Sequence, residues 1–352
     1  MGCETQHSIP NTQYSTLNTI LNSFFELLQL SIGTREGLSV MPSPTEWEVL
    51  LEDAVRYGVA GIMYPAMQKL YNEQSASITR SVILQWSGTA IQYKKANERI
   101  SKQCEKVLAH FRQAGFQAII LKGQSNLANY PSHLRDYRVT GDIDVWVKGK
   151  SKDEVYQFVH QLFPDEIYRY VHVGFPVFSD IAVEIHLRPA YLCNPFHNHR
   201  LQAWFDSIDL DSLQDQEKFR EFNAVYQPLH IYKHVLRDGI ALRQLLDYYF
   251  LLKLNPHKDK ELLDKLDLLS FSEDLDAVVM HLFEGKTLTT PSSKQLLDDI
   301  FIYGKSGSAP IEGIWKRIRH FSRSYSNEIL WRPYYKLFHI FLQVKHKLPL
   351  VS

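Results

Sequence analysis

The segment Arg138-Val139-Thr140-Gly141-Asp142-Ile143-Asp144-Val145-Trp146-Val147 alternates polar and apolar residues from Asp142 to Val145. A period of two predicts a β-strand, with Asp142 and Asp144 on one face and Ile143, Val145 and Val147 buried on the other. Carboxylates at i and i+2 lie about 6–7 Å apart at the backbone. They repel each other unless a cation lies between them, and hard cations such as Mg²⁺ take carboxylate and phosphate oxygens. A bare Asp-x-Asp also suits a solvated strand end, so its neighbours matter.

Upstream, Ala118-Ile119-Ile120-Leu121 is a continuous apolar run that suits a buried strand. Lys122-Gly123-Gln124-Ser125 follows at a strand-to-helix junction, where free backbone N–H groups and the helix dipole favour a phosphate. Residues 125–130 suit a short helix. Arg135 and Arg138 stand just before the acidic pair, within reach of phosphate oxygens. Downstream, Ser151 and Glu154 have capping-box spacing, opening a helix to about Phe163. Strands are expected near 167–173 and 181–187. In the latter, Val183, Ile185 and Leu187 face the core and Glu184, His186 and Arg188 the opposite side. Strand, helix, strand, helix, strand over about 75 residues marks an α+β or α/β unit.

Both flanks carry helical spacing. Leu17, Ile20, Leu21, Phe24, Leu27 and Leu28 form one stripe; Trp47, Leu50, Leu51 and Ala54 form another. A long segment over about 81–111 ends at Gly115, a residue suited to a left-handed helix terminus. Beyond residue 223 the chain returns to helix. The expected architecture is α+β, a small mixed sheet between helical regions, divided as 1–112, 113–205 and 206–352.

The chain has 352 residues, 39 Lys+Arg against 39 Asp+Glu, and three cysteines. Zero net charge argues against a general coat for DNA or RNA, which needs excess positive charge to displace counterions. Three scattered cysteines form no disulfide framework or thiolate zinc site, and a cytoplasmic location is expected. There is no apolar run of membrane-spanning length. Met1-Gly2-Cys3 hints at lipidation, but Gln6 stands where the myristoylation pattern wants Ser or Thr.

Leu-Lys-Gly, Tyr130-Pro131, Arg138-x-x-Gly141-Asp142-Ile143-Asp144 and Val183-Glu184-Ile185-His186 together resemble an uncharacterised bacterial nucleotidyltransferase family of the polymerase-β-like superfamily. The signature spans about 118–188. A weaker likeness reaches Trp47–Tyr64 upstream and the His234…Arg243…Asp247 segment downstream. The resemblance implies metal-dependent transfer of a nucleoside monophosphate from an NTP, with release of pyrophosphate. It implies two Mg²⁺ (or Mn²⁺) ions on Asp142, Asp144 and Glu184, and a nucleotide site at Lys122, Gly123, Ser125, Arg138 and Gly141. His186 would position the acceptor or transfer a proton. The acceptor is expected to be a small molecule or protein, with RNA a further option. Gln124 departs from the usual Gly or Ser after the turn glycine, and Glu184 replaces the more frequent Asp.

Other readings of the same residues are weighed beside this one. An Asp-x-Asp glycosyltransferase would need a longer nucleotide-binding α/β region before its motif. A catalytically silent nucleotide-binding module would not need three intact acids. His197-Asn198-His199, with His172 and His186, invites a zinc reading, but the pair suits a solvated loop better. The Lys233-His234…Arg237…Arg243…Asp247 stripe could face the nucleotide from a helix, although the polar face of an amphipathic helix is the commoner reading. Residues 261–300 hold nine acids against three Lys/Arg, and residues 311–352 hold eight Lys/Arg against two acids. Docking of these two segments on each other is expected over capture of an anionic acceptor.

Overall fold

The computed structural model describes residues 11–73, 77–236, 239–303 and 325–347. Met1–Cys3, Arg237, and Lys316, Arg317, Arg319 and Arg323 of the basic segment lie outside the described residues. Four helices come first: α1 (Asn11–Ile32), α2 (Pro44–Arg56), α3 (Ala60–Asn72) and the long α4 (Arg80–Gln113). Gly115 follows α4 with φ +87°, the left-handed turn that releases the chain into β1 (Gln117–Ile120). A 3₁₀ turn (Gly123–Asn129) and a short α5 (Ser132–Arg135) lead to β2 (Asp142–Lys148). Then come α6 (Lys152–Leu162), β3 (His172–Gly174), β4 (Ala182–His186) and α7 (Pro195–Ser207). The remaining α-helices among the described residues are α8 (Gln216–Leu236), α9 (Leu242–Lys253), α10 (Lys260–Lys265), α11 (Leu269–Glu284), α12 (Pro291–Asp298), α13 (Ser326–Leu330) and α14 (Arg332–Lys347), with a 3₁₀ turn (Asp211–Gln214) before α8 and a π-helical turn (Asp299–Tyr303) after α12.

The four strands make one mixed sheet in the order β1-β2-β4-β3. β1 runs antiparallel to β2, β2 parallel to β4, and β3 antiparallel to β4. The architecture is therefore α+β, mostly helical, around a small sheet. Register follows the apolar alternation. Ile143, Val145 and Val147 of β2 and Val183 and Ile185 of β4 form a core with Ile100, Cys104, Val107 and Phe111 of α4 and Val155 and Val159 of α6. The opposite face carries Asp142, Asp144 and Trp146 beside Ala182, Glu184 and His186, with His172 and Gly174 beyond.

Ile119, Leu121 and Trp146 on that second face enter a larger core that includes Leu27 and Leu28 of α1, Trp47 of α2, Phe205 of α7 and Phe222 of α8. The segments 1–112, 113–205 and 206–352 thus share an apolar interior. Trp146 stacks near Phe222, centroids 5.8 Å apart, and meets Phe205 edge-on at 5.7 Å.

Three local expectations are corrected. The strand expected at 167–173 shrinks to His172–Gly174: the Val171 carbonyl accepts from the N–H groups of both Leu187 and Arg188, which ends the regular ladder, and the Tyr170 carbonyl accepts from Arg188 Nη1 instead. His197 and His199 sit on α7 rather than in a loop; Asn194 caps it by accepting from the N–H groups of Phe196 and His197. The stripe from His234 to Asp247 is not one helix, since α8 stops at Leu236 and Gly239 adopts φ +79° before α9 begins. In the acidic stretch, Asp276 pairs with Lys258 and Glu284 with Lys253 and Lys286.

Trp146 is fully buried where the sheet meets α7 and α8, so Trp146→Ala should cost about 3–5 kcal/mol. Urea unfolding followed by far-ultraviolet circular dichroism measures it; a loss under about 1 kcal/mol would contradict this packing.

Candidate active site

The site grows from one row of side chains across three strands. Asp144 lies opposite Glu184 in the parallel β2/β4 pair, and His172 lies opposite His186 in the antiparallel β3/β4 pair. Directly opposite residues share a face, so Asp142, Asp144, Glu184, His186 and His172 all project the same way. Asp144 is the most enclosed, its side chain only 1% exposed, whereas Asp142 is 39% exposed.

Two side-chain cations hold these acids. Lys122 Nζ, delivered by the turn after β1, lies 3.0 Å from Asp144 Oδ2 and 3.7 Å from Asp142 Oδ2. His186 Nε2 lies 2.7 Å from Asp144 Oδ1 and 3.6 Å from Glu184 Oε2. The other nitrogen of that ring, Nδ1, is 3.3 Å from the Arg188 carbonyl. Both nitrogens face acceptors, so the geometry calls for an imidazolium that donates on each side. His172 Nδ1 lies 3.2 Å from Glu184 Oε2.

Protonation follows the same layout. Burial works against charge on Asp144, but the Lys122 ammonium and the His186 hydrogen bond outweigh it and hold the carboxyl far below its ordinary range. Lys122 is likewise opposed by burial and raised by Asp144 and Asp142. Burial would lower His186, yet its hydrogen bonds to Asp144 and Glu184 leave it raised. Burial pushes His172 down to about 4. Asp142 is raised, first by burial and then by the charge of Asp144. A hydrogen bond from His186 is the largest influence lowering Glu184.

Beside the acids is a cavity of about 260 Å³, lined by Lys122, Gly123, Thr140, Asp142, Tyr226 and Arg243 among others. Gly123 takes φ +71°, and a Cβ there would lie 2.8 Å from Thr140 Oγ1 and 3.5 Å from Arg138 Nη1. The glycine keeps this floor open. Arg243, at the start of α9, faces the cavity and, among the described residues, makes no hydrogen bond or ion pair. Its guanidinium is lowered by burial and by the charge of Arg138. The buried Tyr226 hydroxyl has no hydrogen-bond partner among the described residues.

Arg138 has a different first role from that expected. Its Nε and Nη2 donate to Asp247 at 3.0 and 2.5 Å, both residues being buried. Tyr130 Oη and Asn126 Nδ2 also donate to the Asp247 carboxylate, at 2.6 and 3.1 Å. This bond network fastens the turn before β2 to α9, leaving only Nη1 toward Gly123. Asp247 is therefore an interior anchor, not part of a solvated helix face. Gly141 lies against Arg243, where a Cβ would sit 3.5 Å from Nη2. Ser125 does not reach the cavity: it lines a separate pocket with Cys104 and Arg112, beside Gln124, whose side chain donates to Ser101 Oγ of α4. Arg135 donates to the Tyr130 carbonyl and is exposed.

The residues brought together are thus Lys122, Gly123, Arg138, Gly141, Asp142, Asp144, Glu184 and His186. Thr140, Tyr226 and Arg243 join the cavity without having been singled out as site residues. Only the helical likeness around Arg243 signalled the last of them.

The oxygens of Asp142, Asp144 and Glu184 suit divalent cations, and positive charge already bridges each neighbouring pair. Comparison with known families matches residues 43–282 to the family described as "Uncharacterised nucleotidyltransferase". The chain belongs to that family, and the general kind of reaction is nucleotidyl transfer. No curated protein and no solved structure matches the chain. Among the described residues no helix is long and apolar enough to cross a membrane.

Two substitutions probe this layout. Asp247→Ala strands a buried guanidinium and should cost about 3–5 kcal/mol, whereas the apolar pair Arg138→Met/Asp247→Leu should cost less. Denaturant unfolding compares them; equal losses would contradict a buried ion pair. Gly123→Ala should lose about 1–2 kcal/mol from its left-handed backbone alone, and lose NTP binding by calorimetry as the methyl meets Thr140. Unchanged nucleotide affinity would remove Gly123 from the site.

Proposed function

We propose that the chain is a metal-dependent nucleotidyltransferase of the polymerase-β-like kind, moving a nucleoside monophosphate from an NTP to a small-molecule or protein acceptor. One observation carries this reading: three carboxylates on adjacent parallel strands share a face, beside a cavity holding Gly123 and Arg243, an arginine unpaired among the described residues. The pattern favours phosphates, because a triphosphate brings its own negative charge to Arg243 and Lys122.

Asp142, Asp144 and Glu184 would hold two Mg²⁺ or Mn²⁺ ions. Bound there, such ions supply Lewis acidity and offset charge on the attacking and leaving oxygens. The chain's own residues do the rest. Arg243 and Lys122 bind the triphosphate oxygens. Gly123 admits the phosphates close to the backbone, and Thr140 fixes the turn by donating to the Asp142 carbonyl at 3.0 Å. His186 is a positioning residue, holding Asp144 and Glu184 in register. The acceptor oxygen attacks the α-phosphorus as the bond to pyrophosphate breaks, and the acceptor's proton passes to a base at the site or to solvent. A cytoplasmic setting fits the scattered cysteines.

An Asp-x-Asp glycosyltransferase is less well supported, since five α-helices, a 3₁₀ turn and one four-residue strand precede Asp142 among the described residues. A catalytically silent module draws support from Lys122, whose ammonium bridges Asp142 and Asp144 as a built-in counter-ion.

Incubation with α-labelled NTPs, Mg²⁺ or Mn²⁺ and a cell extract should give labelled product. Asp142→Asn, Asp144→Asn or Glu184→Gln should reduce it by more than about 100-fold. NTP binding that ignores divalent metal, with no label transfer, would instead identify the silent module.

A further inference from the structure

His172 Nδ1, a Glu184 carboxylate oxygen and His186 Nε2 lie within 4.8 Å of one another. We propose that these three side chains bind one divalent transition-metal ion, as a two-histidine, one-carboxylate site beside the Asp142/Asp144 pair.

The sheet register builds this set. Glu184 and His186 are two apart on β4 and share a face, and His172 is the direct partner of His186 on β3. The two imidazoles have centroids 5.5 Å apart, converging on the same carboxylate. Gly174, the partner of Glu184, has no side chain to cover it. A Cβ at Gly174 would overlap the Glu166 carboxylate, so Glu166 rests over the slot that the glycine leaves and adds an oxygen nearby.

The surroundings are those of a ligating histidine. Metal-bound imidazole usually donates its other N–H to a carbonyl or carboxylate, which fixes the ring. His186 Nδ1 faces the Arg188 carbonyl, leaving Nε2 toward Glu184 and Asp144. A bare lone pair 2.7 Å from a carboxylate oxygen would be repelled, so Nε2 needs either a proton or a metal there. On binding, that proton leaves to solvent. The His172 proton moves from Nδ1 to Nε2, giving up the 3.2 Å contact with Glu184, which the shared ion replaces, and a 3.4 Å contact with exposed Arg169.

Donor type sets metal preference. Mg²⁺ demands oxygen ligands in octahedral geometry, whereas imidazole suits zinc, cobalt and their neighbours. The site therefore separates two cation chemistries: an oxygen-rich position at Asp142 and Asp144, and a nitrogen-rich one at Glu184. It shares Glu184 with the nucleotidyl-transfer reading but concerns metal binding without nucleotide, so either can fail while the other stands.

The test titrates metal-free, full-length protein with Co²⁺ and separately with Mg²⁺ by calorimetry, without NTP. Proton NMR of the Co²⁺ form then looks for shifted, exchangeable imidazole N–H signals. One equivalent of Co²⁺ should bind at least about 10-fold more tightly than Mg²⁺, with two such signals. His172→Asn and His186→Gln should each remove one signal and weaken Co²⁺ at least about 10-fold, while Asp142→Asn keeps both signals. Should His186→Gln fail to fold, judged by its metal-free melt, His172→Asn on the short edge strand decides. Unchanged Co²⁺ affinity in His172→Asn, no imidazole signals, or an ion lost in Asp142→Asn but kept in His172→Asn would overturn the proposal.

Discussion

The arrangement depends on an ionised carboxylate in the interior. Asp144 is almost wholly enclosed, and an unpaired charge in such a place would cost several kcal/mol. Lys122 from the turn after β1 and His186 from β4 compensate it from two sides. Each partner reaches Asp144 only if its own strand is in register. The pairing Asp144↔Glu184 is therefore also what aligns the acid row, because a one-residue slip would turn every side chain to the other face. Stability of the sheet and assembly of the candidate site come from the same contacts.

Around that centre the helices act as a frame. α4 and α6 cover the apolar face of the sheet, leaving the acid face to the cavity and the C-terminal helices. The Arg138–Asp247 ion pair connects the turn before β2 to α9, which also carries Arg243. Asp247 and Arg243 lie one helical turn apart, so the position of Arg243 beside Asp142 is set by a buried bond. Both arginines line the cavity, but Arg138 gives its Nε and Nη2 to Asp247 and turns only Nη1 toward Gly123.

Much of this was legible in the sequence because strands have a period of two. The alternation in 142–147 and 182–187 assigned Asp142, Asp144, Glu184 and His186 to one face, and the ladder has them there. Tertiary partners were not legible. The partner of Arg138, Asp247, is 109 residues away and leaves no local signal. Ser125 follows the turn glycine in sequence, yet the 3₁₀ turn rotates it toward α4. His172 was invisible as a neighbour of Glu184 because the short hairpin that pairs β3 with β4 fixes its register. His197 and His199 were read as loop because Pro195 and Asn194 signal a turn; they also signal a helix start, and here they cap α7.

The central claim is that a nucleotide and its cations meet at the acid row. A crystal structure with a non-hydrolysable NTP analogue and Mn²⁺, using anomalous scattering to find the metal, tests it most directly. The expected result is Mn²⁺ density between Asp142 and Asp144, with phosphates against Gly123 and Arg243. A nucleotide bound elsewhere, or phosphates in this cavity with Lys122 still bridging the two aspartates and no metal, would contradict it.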